Sequence, residues 1–394
     1  MSSRLLVTFL VALAAVFASF YQFSLKPKLI VLGWGRALKP TGNTRCKTYP
    51  EVQACEKVVL HQPTGLVYMA CSTQQSRPHW MPATNRLNAT GKSSEDYVAT
   101  FDPSTSLITR LRTEGFKFPR GLSLHGMDVV ASKEHPSELV LYLVNHREPL
   151  PPARAIEIGT DSVVEVFRST PGSDVMHYVT TFQDPIISTP NDIYATGDDA
   201  SFYFTNDHGF IKAGLARRLN VDAFFDLGWS NVGYCHALHG CKIVASNLVG
   251  INGIVKGRGG NFFVSSSKSG RIYVLDRHEN NTLSVSDVLY LDRAVDNLSM
   301  DQTGAIWGAG MVNALHLFNV HFETPTINTP SSAIRITENG GAGGKGGKFR
   351  VQKMFEDDGK VASGSTSAVY DAERKKLYLH GIAAPHLTVC DIDV

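Results

Sequence analysis

Past residue 45 the chain alternates short β-branched and aromatic runs with clusters of Gly, Asp, Asn and Ser, and amphipathic helical periodicity is scarce. That patterning predicts an all-β protein. Six runs share one form, a turn, then a small or apolar residue, then an aromatic or β-branched core. They are Gly65-Leu-Val-Tyr-Met-Ala70, Glu138-Leu-Val-Leu-Tyr-Leu143, Ala200-Ser-Phe-Tyr-Phe-Thr205, Gly260-Asn-Phe-Phe-Val-Ser265, Gly304-Ala-Ile-Trp-Gly308 and Lys375-Lys-Leu-Tyr-Leu-His380. Their starts fall roughly 45 to 75 residues apart, room for about four strands each. Six four-stranded units set radially make a six-bladed β-propeller, which protects its sheet edges by closing the circle.

Upstream of each run comes a polar residue followed by a short apolar strand. These are Glu56-Lys-Val-Val-Leu60, His125-Gly-Met-Asp-Val-Val130, Asn191-Asp-Ile-Tyr194, Asn252-Gly-Ile-Val255, Asn297-Leu-Ser-Met300 and Ser367-Ala-Val-Tyr370. The innermost strand of every propeller blade begins at one mouth of the central channel, so residues in this phase converge on the axis. The expectation is one ring built from Glu56, His125, Asn191, Asn252 and the pair Asp296-Asn297; for any one of them alone, a solvated turn residue is the simpler reading.

The N-terminus breaks the pattern. Arg4 precedes an apolar segment, Leu5 to Phe20, that continues to Leu25 before Lys26 and Lys28. It reads as a secretory signal or, at about 20 residues, a short membrane anchor. The expected division is residues 1–25 signal peptide or signal anchor, 26–45 linker and 46–394 propeller, with membrane association through residues 5–25. Either reading puts the propeller in the secretory pathway, secreted or anchored on the luminal or extracellular side, where six cysteines can pair. Cys55 and Cys71 lie symmetrically about the turn His61-Gln-Pro-Thr-Gly65, and Cys235 and Cys241 flank a short polar loop. Cys46 and Cys390 remain, near the two ends of the folded region, where a bridge would tie first strand to last. Free buried thiols are the alternative for the two local pairs. The sequons at Asn88 and Asn280 fit the same compartment.

A hydrophobic fraction of 43%, a charged fraction of 19% and a net charge of +2 describe a globular protein without a basic patch, which excludes nucleic acid as a partner. The ring offers five side-chain oxygens and two carboxylates, a donor set suited to calcium. Zinc would want Cys or His in tetrahedral array, and magnesium a stricter octahedron. The stretch Ala294-Val-Asp-Asn-Leu-Ser-Met-Asp301 carries a third sequon, but a glycan on Asn297 would have to fit inside the channel. A bound cation can polarise a carbonyl, and His125, in the ring's own phase, is placed to act as base for a water. His146 ends the second strand of the same hairpin and would orient His125 or relay its proton. No Gly-x-Ser-x-Gly elbow occurs, and the glycine-rich run from Gly340 to Lys348 reads as a surface loop rather than a phosphate cradle. The polar segment from Ser72 to Ala99 reads as a lid over the channel mouth.

The motifs His125-Gly126, Val144-Asn-His146, Pro190-Asn-Asp-Ile193, Thr205-Asn-Asp-His208, Ile251-Asn-Gly-Ile254, Asp296-Asn-Leu-Ser299 and Gly364-Ser-Thr-Ser-Ala-Val-Tyr370 resemble the serum paraoxonase/arylesterase family, in order and spacing, from about Cys46 to Cys390. The resemblance implies a six-bladed propeller with calcium in its tunnel that hydrolyses small-molecule lactones and aryl esters. It places catalytic calcium ligands on Glu56, Asn191, Asn252, Asp296 and Asn297, a histidine dyad on His125 and His146, and a ring-closing disulfide on Cys46 and Cys390. It also implies a second, structural calcium held by an acid after the first ligand, by Asp192 and by the Met127 carbonyl. Here that acid is Lys57, whose ammonium could pair with Asp192 in the ion's place, so one calcium is expected. The Cys55, Cys71, Cys235 and Cys241 thiols are also outside the family pattern. Two alternatives stand beside this reading: another six-bladed hydrolase or synthase of the gluconolactonase or strictosidine-synthase kind, and a non-catalytic binding propeller stabilised by calcium.

Overall fold

A computed structural model describes residues 3–339 and 348–394, so the glycine-rich run expected as a surface loop lies almost wholly outside the described residues. Past the N-terminal helix, five four-stranded sheets and one five-stranded sheet follow one another around an axis. The protein is a six-bladed β-propeller. The six expected runs are the second strands of blades 1 to 6, at Leu66–Cys71, Leu139–Arg147, Ser201–Asn206, Phe262–Ser266, Ile306–Met311 and Lys376–His380. The six upstream segments are the innermost strands, at Cys55–His61, Leu124–Ala131, Pro190–Ala195, Ile251–Lys256, Val295–Met300 and Ser367–Asp371.

The second strands are apolar on both faces because each blade is covered on both faces. Alternate residues enter different cores. In blade 3, Tyr203 packs toward blade 4 with Phe262 and Tyr273, whereas Phe202 and Phe204 pack toward blade 2 with Tyr142 and Val164. In blade 5, Ile306 faces the blade 4 residues Phe263 and Val274, and Trp307 stacks on Tyr370 of blade 6. Six such clusters fill the six gaps between blades.

Blade 6 closes the ring. Its outermost strand, Cys46–Tyr49, comes from the start of the propeller and pairs antiparallel with Leu387–Asp391 near the C-terminus, in the register Cys46 to Cys390. Disulfides join Cys46 to Cys390, Cys55 to Cys71 and Cys235 to Cys241, and among the described residues no cysteine is free.

Two sequence expectations are corrected. The N-terminal helix does not stop at Leu25. After Ser3–Phe20 a π turn spans Tyr21–Leu25 and an α-helical turn continues over Lys26–Val31, so the first part of the expected linker is helical. Pro27 removes a helical donor, and the wider π turn just before it accommodates that loss. Residues 28–36 are docked rather than free: Lys28 pairs with Asp226 at 3.1 Å, Leu32 accepts the Ala314 amide, and the Arg36 guanidinium donates to the Met311 and Val312 carbonyls at 3.0 and 2.9 Å. Residues 4–31 form a helix long and apolar enough to cross a membrane. The second correction concerns the segment from Ser72. It is a packed cap with a two-stranded hairpin, Trp80–Met81 with Arg86–Leu87, and its last residues belong to the strand Tyr97–Asp102. Arg77 and Trp80 are fully buried and bond to Ala54, Ile382 and Ser123 outside the segment, which fastens the cap to the propeller.

Candidate active site

The ring residues reach the axis through a repeated local device. In each of blades 1 to 5 the pairing between innermost and second strand slips by one residue where the polar residue stands. The slips lie between Cys55 and Lys57, between Leu124 and Met127, between Pro190 and Ile193, between Ile251 and Ile254, and between Val295 and Leu298. A β-bulge bends its strand and re-aims the extra side chain. Glu56, His125, Asn191, Asn252, Asp296 and Asn297 all sit in these bulges, and all are buried. Gly126 and Gly253 occupy the second bulge position in blades 2 and 4. A Cβ at Gly126 would collide with the Asn191 carbonyl, and one at Gly253 with the Leu298 amide, so glycine lets adjacent inner strands close up.

Hydroxyls facing the bulges lock blade to blade. Thr205, opposite the blade 3 bulge, donates to the Asn252 carbonyl at 2.6 Å, and Ser265, opposite the blade 4 bulge, donates to the Asp296 carbonyl. Glu56 is oriented by the Asn297 amide at 2.9 Å and the Thr366 hydroxyl at 2.5 Å. Thr366 lies in the motif Gly364-Ser-Thr-Ser-Ala-Val-Tyr370, and its role appears only in the fold.

With these bonds made, Asn191 Oδ1, Asn252 Oδ1, Asp296 Oδ1 and Asn297 Oδ1 are buried without any hydrogen-bond partner. Buried polar atoms are normally satisfied, so four orphaned oxygens around one axis need a ligand. Charge points the same way. Burial, opposed by bonds from Thr366 and Asn297, raises the Glu56 carboxyl to about 7, and burial together with Glu56 and Asp192 raises Asp296 well above the usual carboxylate range. A hard divalent cation would satisfy the oxygens and hold both carboxylates ionised. No cluster of three His, Cys, Asp or Glu exists among the described residues, and the donor set is instead two carboxylates with three amide oxygens. The residues fit calcium.

His125 Nε2 lies 3.9 Å from Glu56 Oε1. The His125 and His146 rings meet edge-on with centroids 5.2 Å apart, and the Nε2 atom of each has no partner. The two imidazoles are thus in contact without an Nε2-to-Nε2 hydrogen bond. His146 Nδ1 is held by the Ser162 hydroxyl at 2.9 Å. Burial, reinforced for His125 by His146 and Arg77, lowers both, His146 to about 3. Both are therefore neutral at ordinary pH, each with a lone pair available to take a proton.

Arg77, which the sequence reading passed over, is buried behind the ring and donates to the Ala54 and Ile382 carbonyls at 3.0 and 2.8 Å, fixing the approach to the Glu56 bulge. Its only sequence signal was a lone charge in a polar segment. One residue below Glu56 in the same strand, Lys57 pairs with Asp192 at 2.6 Å, while Met127 is buried in the core between blades 1 and 2. Asn297 is 1% exposed, whereas Asn88 and Asn280 are exposed.

The Arylesterase family profile matches residues 122–392. Serum paraoxonase/lactonase 3 of Oryctolagus cuniculus is 29% identical over 246 residues, 62% of this chain and 62% of that protein, so the match spans less than two thirds of that relative's length. Serum paraoxonase/arylesterase 2 of Homo sapiens is 29% identical over 270 residues, 66% of this chain and 69% of its own. Among solved structures, a luciferin-regenerating enzyme superposes with a TM-score of 0.50 at 11% identity, covering 87% of this chain and 94% of its own, which is a likeness of fold.

Proposed function

The chain belongs to the arylesterase family, and from that premise we propose that it is a calcium-dependent hydrolase of lactones and aryl esters. The observation that carries the reading is the set of four orphaned ring oxygens beside two buried carboxylates, next to two histidines whose Nε2 atoms are also unpartnered. Glu56, Asn191, Asn252, Asp296 and Asn297 would hold the ion. Calcium bound there would polarise the substrate carbonyl and offset the charge that builds on its oxygen.

The chain's own groups do the rest. Thr366 and Asn297 keep Glu56 aimed at the axis, and Thr205 and Ser265 fix the spacing of the bulges. His125 accepts a proton from the attacking water through Nε2 and returns it to the leaving oxygen, as the acyl carbon–oxygen bond breaks and an alcohol or phenol forms with a carboxylic acid that then ionises to solvent. His146, anchored by Ser162, packs edge-on against His125 and restricts its ring. The names arylesterase and lactonase borne by the relatives support carboxylic ester chemistry of this class.

One ion is proposed rather than two, because Lys57 already neutralises Asp192 where a second would lie. The exposed Asn88 and Asn280 are the proposed glycan acceptors, and residues 1–25 the proposed signal or anchor for a secretory compartment, within an apolar helix over residues 4–31. The test is hydrolysis of phenyl acetate and of γ-valerolactone by the full chain, with calcium and after its chelation. Loss of both activities on chelation and recovery on readdition are expected. Turnover that persists without calcium rejects the metal role, and hydrolysis of sugar lactones alone would favour the gluconolactonase-like alternative.

A further inference from the structure

The register of the blades places a second row of polar residues above the ring. Asn145 pairs with Leu124 in blade 2, Asn206 with Pro190 in blade 3 and Ser266 with Ile251 in blade 4, each at the end where the ring residues lie. From these three the chain runs on into His146 in blade 2, Asp207 and His208 in blade 3 and, two residues past Ser266, Lys268 in blade 4. Thr205-Asn-Asp-His208 drew attention in the sequence; Lys268 did not.

The Lys268 stem lies over Gly250, two residues before Asn252 of the ring, and a Cβ on that glycine would strike three carbons of the lysine side chain. From there the ammonium arches back to blade 3 and donates to His208 Nε2 at 2.6 Å. His208 Nδ1 in turn lies 2.9 Å from Asp207 Oδ1, which also faces Arg217 at 3.9 Å. His208, Asp207 and Arg217 are buried, while Lys268 is half-buried. Arg217 is thus the one cation paired with Asp207, whose Oδ1 faces His208 Nδ1 without a hydrogen bond. Among the described residues no carboxylate forms an ion pair with Lys268, whose one hydrogen-bond partner is a neutral imidazole.

The contrast with Lys57 is direct. Lys57 is buried and closed against Asp192, so it has nothing left to offer a ligand. Lys268 keeps two N–H directions at a half-buried position over Gly250. Burial, against the pull of Asp207, pushes its ammonium down to about 8, so the cation stands to gain from an anionic neighbour.

We propose that Lys268 is a specificity-determining residue that receives a carboxylate carried by the substrate, so that the site selects lactones and esters bearing an anionic group near the scissile bond. This deepens the proposed hydrolase function and rests on it. His208 and Asp207 act as positioning residues that hold the ammonium over the mouth.

The test compares 5-oxotetrahydrofuran-2-carboxylate with neutral γ-valerolactone on the calcium-loaded full chain, in the wild type and in the Lys268→Met and Lys268→Arg variants. The wild type should favour the anionic lactone in kcat/KM by roughly tenfold, the scale of one charge-assisted hydrogen bond. Lys268→Met should bring that ratio toward one through a rise in KM for the anionic lactone, and Lys268→Arg should keep most of it. A ratio that does not change in Lys268→Met, or a wild type without preference, overturns the proposal. If neither lactone is hydrolysed, the hydrolase reading has failed, and Lys268 is judged by calorimetric binding of 2-hydroxyglutarate. Binding that disappears in Lys268→Met supports the anion site; equal binding in both proteins, or none in the wild type, overturns it.

Discussion

Glu56 and Lys57 are neighbours in one strand and share one bulge, yet they end in opposite electrostatic conditions. Glu56 joins an upper layer of the tunnel where two carboxylates and three amides leave four oxygens without partners. Lys57 joins a lower layer where an ammonium and a carboxylate meet at 2.6 Å, with the Leu298 carbonyl and the Ile254 amide adding bonds at 3.3 and 3.0 Å. A side chain supplies the cation below; above, the proposed calcium would supply it. The difference teaches that burial alone does not mark a site. Both layers are desolvated, but below, Lys57 already holds one Asp192 oxygen and only Asp192 Oδ1 is left without a partner, whereas above four oxygens are left without one.

The comparison breaks first at His125, where the largest effect is expected. If the upper layer exists for chemistry, His125→Gln should lower kcat/KM for a lactone by about 10² to 10⁴, the range for loss of a general base. The variant should still bind calcium by calorimetry, because His125 is not among the proposed ligands. Full activity would remove the assigned base.

The next test exchanges the layers. Lys57→Met leaves Asp192 buried without its partner and should cost about 3–5 kcal/mol in urea unfolding. Lys57→Asp should turn the lower layer into a second acidic site, so calorimetry should find two calcium sites where the wild type shows one. Two tight sites in the wild type would sink the idea that lysine replaces an ion.

A smaller effect is expected at the disulfide that precedes the shared bulge. Cys55–Cys71 closes a separation of 16 residues beside Glu56, and replacing both cysteines by Ala should cost about 3 kcal/mol. Because the bridge pins the start of the bulge, calcium affinity should fall with stability. Unchanged affinity would confine the disulfide to stability.

Much of this architecture could be read in the chain because its strands are covered on both faces. A run such as Phe202-Tyr-Phe204 has no polar side to spare, and six such runs in one phase leave few folds besides a propeller. The ring residues were legible for the same reason, since Asn191 and Asn252 precede equivalent strands. What was not legible depends on register. Nothing local in Asn191-Asp192 announces a bulge, because a bulge is set by the pairing of Pro190 with Asn206 and Ile193 with Phe204. Arg77 looked like a loop charge because its partners, Ala54 and Ile382, are 23 and 305 residues away. Lys268 was missed in the same way, as its ammonium finds His208 across a blade boundary 60 residues back.

The finest distinction between the layers is their response to pH. Burial raises the Glu56 carboxyl from 4.5 to about 7, so the calcium-free native state keeps a proton that the unfolded chain releases. That contribution is fully present below about pH 4.5 and is lost as pH rises to about 7, at about 1.4 kcal/mol per pKa unit as an upper bound. Calcium should act in the opposite sense, because it needs the carboxylates ionised and binds more tightly once their proton has gone. Urea unfolding at pH 5.5 and pH 8, with saturating calcium and without it, should therefore give curves that separate as pH rises. The lower layer predicts no such separation, since Lys57 travels with Asp192 whether or not calcium is present. If the calcium-dependent increment is the same at both pH values, the ion does not bind at Glu56 and Asp296, and the upper layer is no more open than the lower.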